Sequence, residues 1–227
     1  MSNLDLGLIG NCQVGVLVDS RGRFVWGCFP RFDGDPAFCS LLGGDAADAA
    51  AGFFDIELLD LEGCEQSYEG NTPVLITRLY DHAGGCIRIE DFVPRFEQFG
   101  RTFRPIMVIR HITPLSGSPT IRIRLRPASQ YGAKRPDVTF GSNHIRFLND
   151  AFTLRLTTNA PLTSVLEERA LVLEDPVSLI LGADETIPEH PSKVSHEMLS
   201  ETRRYWARWV RGLSLPYEWQ DEVIRAA

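Results

Sequence analysis

Adjacent carboxylates at Glu90 and Asp91, and again at Glu167 and Glu168, are the first places in this sequence where acid and base chemistry could reside. Two carboxyls working as an acid and a base must converge on one substrate. Neighbours in a strand point to opposite faces, so Glu90 and Asp91 cannot act together, and Glu167 and Glu168 lie in a polar stretch and read as solvated charges. Pro30-Arg31-Phe32-Asp33 sets a planar guanidinium and a carboxylate on either side of an aromatic ring. Such a set can bind hydroxyls in a bidentate way and stack a flat apolar face. It can equally tie its own loop down by an internal Arg to Asp pair, with Phe32 in the core. Tyr68, Asn71 and Thr72 carry the same two readings, because Asn-Thr-Pro is also an ordinary turn.

Other chemistries find no support. The histidines at 82, 111, 144, 190 and 196 show no ligand spacing, and His196-Glu197 lacks the second His of a zinc-protease helix. Cysteines 12, 28, 39, 64 and 86 are odd in number and form no C-x-x-C pair, which reads as buried reduced thiols. There is no G-x-S-x-G elbow and no phosphate-cradling glycine loop. No metal and no cofactor are expected. The 227 residues carry a net charge of -7, which repels a phosphate backbone and argues against nucleic acid. The longest apolar runs, such as Val14 to Val18 and Val177 to Leu181, fall far short of the ~20 residues a membrane helix needs. The N-terminus shows no basic and then apolar export pattern, so a cytoplasmic location is expected.

The elements that must position these residues are mostly strands. Val14 to Val18 and Arg23 to Gly27 flank a turn with Gly22 at the position that needs positive φ, and Val74 to Tyr80 with Cys86 to Phe92 form a second hairpin. A third joins His144 to Leu148 with Ala151 to Leu156 through Asn149-Asp150. Further strands are expected at Phe53 to Leu58, Thr102 to Ile112, Ile121 to Arg126, Ala170 to Leu173 and Val177 to Leu181. Ile121, Ile123 and Leu125 alternate with Arg122, Arg124 and Arg126, giving one core face and one wet face. The fold class is therefore mainly β, an antiparallel sandwich. Gly43 to Gly52 reads as a surface loop.

After Pro191 the period changes. Val194, Met198, Thr202, Tyr205, Trp206, Trp209 and Leu213 recur every three or four residues, an amphipathic helix with Gly212 at its expected cap. Tyr205, Trp206 and Trp209 are its packing residues, too apolar to face water. A second helical pattern opens at Tyr217 and the chain stops at Ala227, which reads as a truncation within a helix.

Ordered motifs then carry a resemblance. Ile9-Gly10-Asn11-Cys12, Gly22, Trp26, Cys28, Pro30 to Asp33, Phe38 and Leu41 to Gly43 are followed by Tyr68 to Thr72, Val74-Leu75, Thr77 and Asp91 to Pro94. Arg126-Pro127, Tyr131-Gly132 and Tyr205 to Trp209 complete the set. Together they resemble the N-terminal domain of glycoside hydrolase family 15, the bacterial and archaeal glucoamylase and trehalase-like enzymes. Members typically carry Asp where this chain has Asn11.

The resemblance implies an antiparallel β-supersandwich over 1–190, a linker helix over 191–216, and in 217–227 the start of a catalytic (α/α)6 barrel. It also implies hydrolysis of α-glucosides with inversion by two barrel glutamates, with carboxyls roughly 6.5 to 9.5 Å apart. No residue of this chain inherits either role, so none is expected to be catalytic. The expected partners are that barrel and, through it, an α-glucoside substrate, together with a homodimer formed through the apolar helix face. The alternative is a stand-alone carbohydrate- or partner-binding β-sandwich. An epimerase-like enzyme would need a His and a carboxylate converging on a sugar pocket, and the sequence offers none.

Overall fold

A computed structural model describes residues 5–43, 51–149, 152–214 and 218–226. Among them two antiparallel sheets stack face to face. The smaller is built from β1 (Gly7–Gly10), β2 (Gly15–Val18), β3 (Phe24–Cys28), β5 (Phe53–Leu58), β12 (Thr120–Arg126) and β16 (Leu171–Val172) in that spatial order, with β4 (Pro36–Phe38) paired to β3. The larger runs β13 (Asp137–Phe140), β14 (His144–Leu148), β15 (Leu154–Thr158), β17 (Val177–Ala183), β11 (Met107–Ser116), β8 (Cys86–Phe92), β7 (Leu75–Asp81), β6 (Leu61–Tyr68). A separate ribbon pairs β9 (Phe96–Gln98) with β10 (Arg101–Phe103). The helices are α1 (Leu162–Leu166), α2 (Pro191–Arg211) and α3 (Gln220–Ala226).

Period-two patterning explains the stacking. On β12, Ile121, Ile123 and Leu125 are buried between the sheets with Phe54, Ile56 and Leu58 of β5, while Arg122 reaches out to Glu57. The central strands of the larger sheet are buried on both faces. Ile87, Ile89, Val108, Ile112, Leu179 and Leu181 point into the sandwich. Phe92, Ile109 and Ile180 point outward and are covered by Leu199 of α2, with Met198 and Val194 beside it. This two-sided burial is why β17 reads as a near-continuous apolar run.

One charged side chain crosses the core. Arg110 of β11 is fully buried and donates from Nε to Asp91 Oδ1 at 2.8 Å and from Nη2 to Oδ2 at 3.1 Å. It also donates to the Phe54 carbonyl at 2.9 Å and to the Gly22 carbonyl, and lies over the Phe24 and Phe54 rings. Gly22 has φ +84°, so the hairpin turn presents that carbonyl inward. Both sheets are thus fastened through one guanidinium.

Several elements differ from the sequence expectation. Thr102 to Ile112 is not one strand: Pro105 supplies no N–H to a ladder, and β10 ends before it while β11 starts after it. β1, β4, β6, β9 and β13 carried no clear alternation; they are short, or, like the polar β6, lie on a sheet edge with one wet side. Gly212 ends α2 with φ -85°, right-handed, its N–H returning to the Trp209 carbonyl at 3.0 Å and the Leu213 N–H to the Val210 carbonyl at 3.1 Å. Most of the Gly43 to Gly52 loop, the Asp150 and Ala151 corner of the third hairpin, and Tyr217 lie outside the described residues. No described helix is long and apolar enough to cross a membrane.

Candidate functional site

A groove of about 570 Å³ opens where α2, α3, β1 and the loop after β6 meet. Phe32, Tyr68, Asn71, Thr72, Trp206 and Trp209 all line it, joined by Leu8, Ile224 and Arg225. Residues as far apart in the chain as Leu8 and Arg225 therefore share one surface. Arg31 and Asp33 flank Phe32 at its rim, and Tyr205 lies behind its aromatic wall.

Each side chain has a local reason for its position. The Tyr68 hydroxyl accepts from Leu8 N–H at 2.7 Å and donates to the Leu8 carbonyl at 2.9 Å, standing in for a missing strand on the free edge of β1. Arg225 lies 4.1 Å over the Tyr68 ring and donates to the Gly70 and Thr72 carbonyls at 3.0 and 3.2 Å. The Thr72 hydroxyl is spent inside its own turn, donating to the Glu69 carbonyl at 2.7 Å and accepting from Val74 N–H at 3.2 Å. Asn71 is exposed. Glu69 pairs with Arg203 of α2 at 2.5 and 2.8 Å, so this one loop holds α2 on one side and α3 on the other.

The aromatic wall is stacked from behind. Trp206 meets Tyr205 and Trp209 edge to face, each with centroids 5.4 Å apart. Arg95 donates to the Tyr205 hydroxyl at 3.0 Å and to the Asn11 carbonyl at 2.7 Å. Asn11 is fully buried and uses its whole amide: Nδ2 donates to the carbonyls of Pro94 at 3.0 Å and Pro105 at 2.9 Å, and Oδ1 accepts from Gln13 and Val14 N–H. A carboxylate there would set oxygen against two carbonyls. All three helix aromatics are half-buried.

At the rim Arg31 and Asp33 form an exposed bidentate pair, at 2.9 and 2.7 Å. Phe32 is not in the core: it is 58% exposed, and lies so close to Gly15 that a Cβ there would come within 2.8 Å of its ring. Asp35 accepts from the N–H groups of Gln130 and Tyr131 at 2.5 and 3.3 Å, holding two successive residues at φ 53° and 56°. Tyr131 projects from that turn, largely exposed. Reading by sequence missed Arg225 and Arg95 as parts of this region; a cation folding back over Tyr68 leaves no periodic signal.

Among the described residues lining the groove there is no carboxylate. Asp91 faces inward to Arg110 while Glu90 faces outward to Arg88 and Arg203, both at 2.8 Å. Glu168 is not simply solvated: Arg126 holds it at 2.5 and 2.7 Å and Arg124 at 3.4 Å. Burial would raise its carboxyl, but hydrogen bonds and charge from the two arginines bring it below its ordinary value. Among the described residues no cluster of three or more His, Cys, Asp or Glu could hold a metal. The groove can stack, dock and hydrogen-bond, and its lining supplies no acid or base pair.

Fold and groove define a two-sheet antiparallel β-sandwich with a long helix on its outer face and an aromatic-lined groove at one edge. The family model for trehalase-like N-terminal domains matches residues 4–163, and the chain belongs to that family. It is similar to a trehalase of Thermoplasma volcanium, 26% identical over 97% of this chain and 36% of that protein. A trehalase of Thermoplasma acidophilum is 25% identical over 93% of this chain and 37% of its own length. Trehalase 1 of Sulfolobus acidocaldarius is 33% identical over 63% of this chain and 23% of its own length. The chain thus spans little more than a third of the length of the two Thermoplasma relatives and under a quarter of the Sulfolobus one, and the longer alignments take in most of it, well beyond the family match.

Proposed function

We propose that this chain is the noncatalytic N-terminal part of an inverting α-glucoside hydrolase of the glucoamylase or trehalase type. In this reading it stabilises a catalytic (α/α)6 barrel and shapes its active-site rim. The observation that supports it most is the groove, which gathers Phe32, Tyr68, Asn71, Thr72, Trp206 and Trp209 against Ile224 and Arg225 of α3. α3 would then be the first barrel helix, α2 the linker, and Arg31, Phe32 and Asp33 the rim contacts. All five cysteines are free thiols, which suits a cytoplasmic enzyme.

Assay of the purified chain on trehalose, maltose and maltooligosaccharides tests this. The chain alone is expected to release no glucose, while a longer protein carrying a barrel with two suitably spaced carboxylates is expected to do so. Glucose release by the chain that survives repurification and is lost on mutating one of its residues overturns the reading. The same aromatic lining also fits a pyranose face, which favours a stand-alone carbohydrate-binding sandwich as the second reading. Calorimetric titration of the chain with trehalose and maltose separates the two, since only the second expects saturable binding without a barrel. Sedimentation of the chain tests the remaining use of this surface, a homodimer through the helix face.

A further inference from the structure

On the outer face of the large sheet, under α2, lies a histidine pair that takes no part in the groove. His111 on β11 is 3% exposed, and its Nδ1 sits 2.8 Å from the Ser178 hydroxyl of β17. His196 of α2 meets it edge to face, with ring centroids 4.7 Å apart and planes at 79°. His196 Nδ1 lies 3.2 Å from the Ser192 carbonyl, which can only accept, so the proton is on that nitrogen. Strand alternation makes the meeting possible: Ile109 and His111 share the outer face of β11, as Ser178 and Ile180 share that of β17, and α2 lies across both.

The charges around the pair are already committed. Glu90 of β8 is the register partner of His111, and its Oε1 accepts from Arg88 and Arg203, each at 2.8 Å. Glu69 is held by Arg203 as well. On α2, Lys193 pairs with Glu189 and lies 3.8 Å from Glu197, the residue after His196. No described carboxylate in this set is left to neutralise two imidazolium rings.

We propose that the His111–His196 contact is a pH-sensitive latch that keeps α2 seated while at most one ring is protonated and loosens it when both are. An edge-to-face pair accommodates one cation against a neutral ring. Two cations at this separation, with one of them sealed from water, repel. Burial first, and then the charge of His196, push the His111 imidazole below its ordinary value, with Arg88 adding to this and Glu90 opposing it. The sign follows: the stabilisation is complete above the ordinary imidazole range near 6.5 and is lost as pH falls toward the lowered value. Because α2 carries Tyr205, Trp206 and Trp209, loosening it would dismantle the wall of the groove. The latch does not depend on the hydrolase reading.

Histidine ring resonances and amide-exchange protection of α2 in the 227-residue chain, followed from about pH 7.5 to about pH 5, test this. His196 is exposed, so its variants should fold. His196→Gln should move the His111 midpoint up and His196→Lys should move it down. Protection of α2 in the unmutated chain should fall about tenfold over the range, at the low end of a typical coupling between two groups. In His196→Gln most of that fall should disappear. A His111 midpoint that is the same in all three chains, or a loss of protection that persists in His196→Gln, overturns the latch.

Discussion

Two arginine–aspartate pairs in this protein have nearly the same geometry and opposite surroundings. Arg110 and Asp91 are both 0% exposed and sit between the sheets, whereas Arg31 and Asp33 are 68% and 69% exposed at the groove rim. The hydrogen bonds alone, all 2.7 to 3.1 Å, would not tell them apart. Solvent does. Burial pushes the Asp91 carboxyl up to about 6 even with Arg110 against it, which shows that desolvation outweighs pairing there. The buried pair therefore contributes orientation, fixing how one sheet sits over the other, more than net stability. The exposed pair, screened by water, holds little more than its own loop and leaves Phe32 exposed.

The largest effect that sharpens this contrast is Arg110→Met. It should cost about 3 to 5 kcal/mol in urea unfolding, because Asp91 is left buried and unpaired. Arg110→Met with Asp91→Leu should recover most of that loss, and a double variant as unstable as the single one breaks the comparison. The same double variant has a pH signature. With its carboxyl raised from 3.8 to about 6 in the fold, the Asp91 contribution is present at low pH and lost as pH rises through about 6. Stability of the double variant should accordingly be flatter over that window.

Next comes Trp206→Ala, expected to cost about 2 to 3 kcal/mol, below the ~3 to 5 kcal/mol of a fully buried ring because Trp206 is only half-buried. A loss beyond that range would place the groove wall in the core. Asn11→Asp should cost about 1 to 2 kcal/mol through two lost donors to the Pro94 and Pro105 carbonyls, measured as a drop in Tm. An unchanged Tm would mean that a carboxyl is accommodated there. Smallest is Arg31→Ala, with under about 0.5 kcal/mol on the unfolding of the chain. Any larger consequence should appear only in a protein that also carries a barrel, as lost activity or interdomain stability; a destabilised isolated chain would put this loop among the structural elements.

How far the sequence could be read follows from the range of the interactions involved. The β-sandwich, the hairpin turning at Gly22, the inward face of Ile121, Ile123 and Leu125 and the helix after Pro191 are fixed by periodicity and turn chemistry within a few residues, so they were legible. The edge strands β1, β6 and β13 were not, because they have little or only one-sided burial to impose a pattern. Neither was the split at Pro105 across a stretch that is otherwise apolar.

The groove shows the same division. Its aromatic and turn residues could be singled out one by one, since stacking and bidentate bonding are properties of residue type. Whether Arg31, Phe32 and Asp33 formed a core tie or an exposed rim depended on solvent exposure, which no local pattern records. Pairings across the chain, such as Arg225 over Tyr68, Arg95 with Tyr205 and His111 with His196, depend on how two sheets and two helices stack. By itself the sequence determined most of the strands, the amphipathic helix and the side chains whose types allow stacking and bidentate bonding. Only the tertiary structure decided which of those side chains meet and which keep their water, because burial and distance between remote residues are set by packing, not by spacing along the chain.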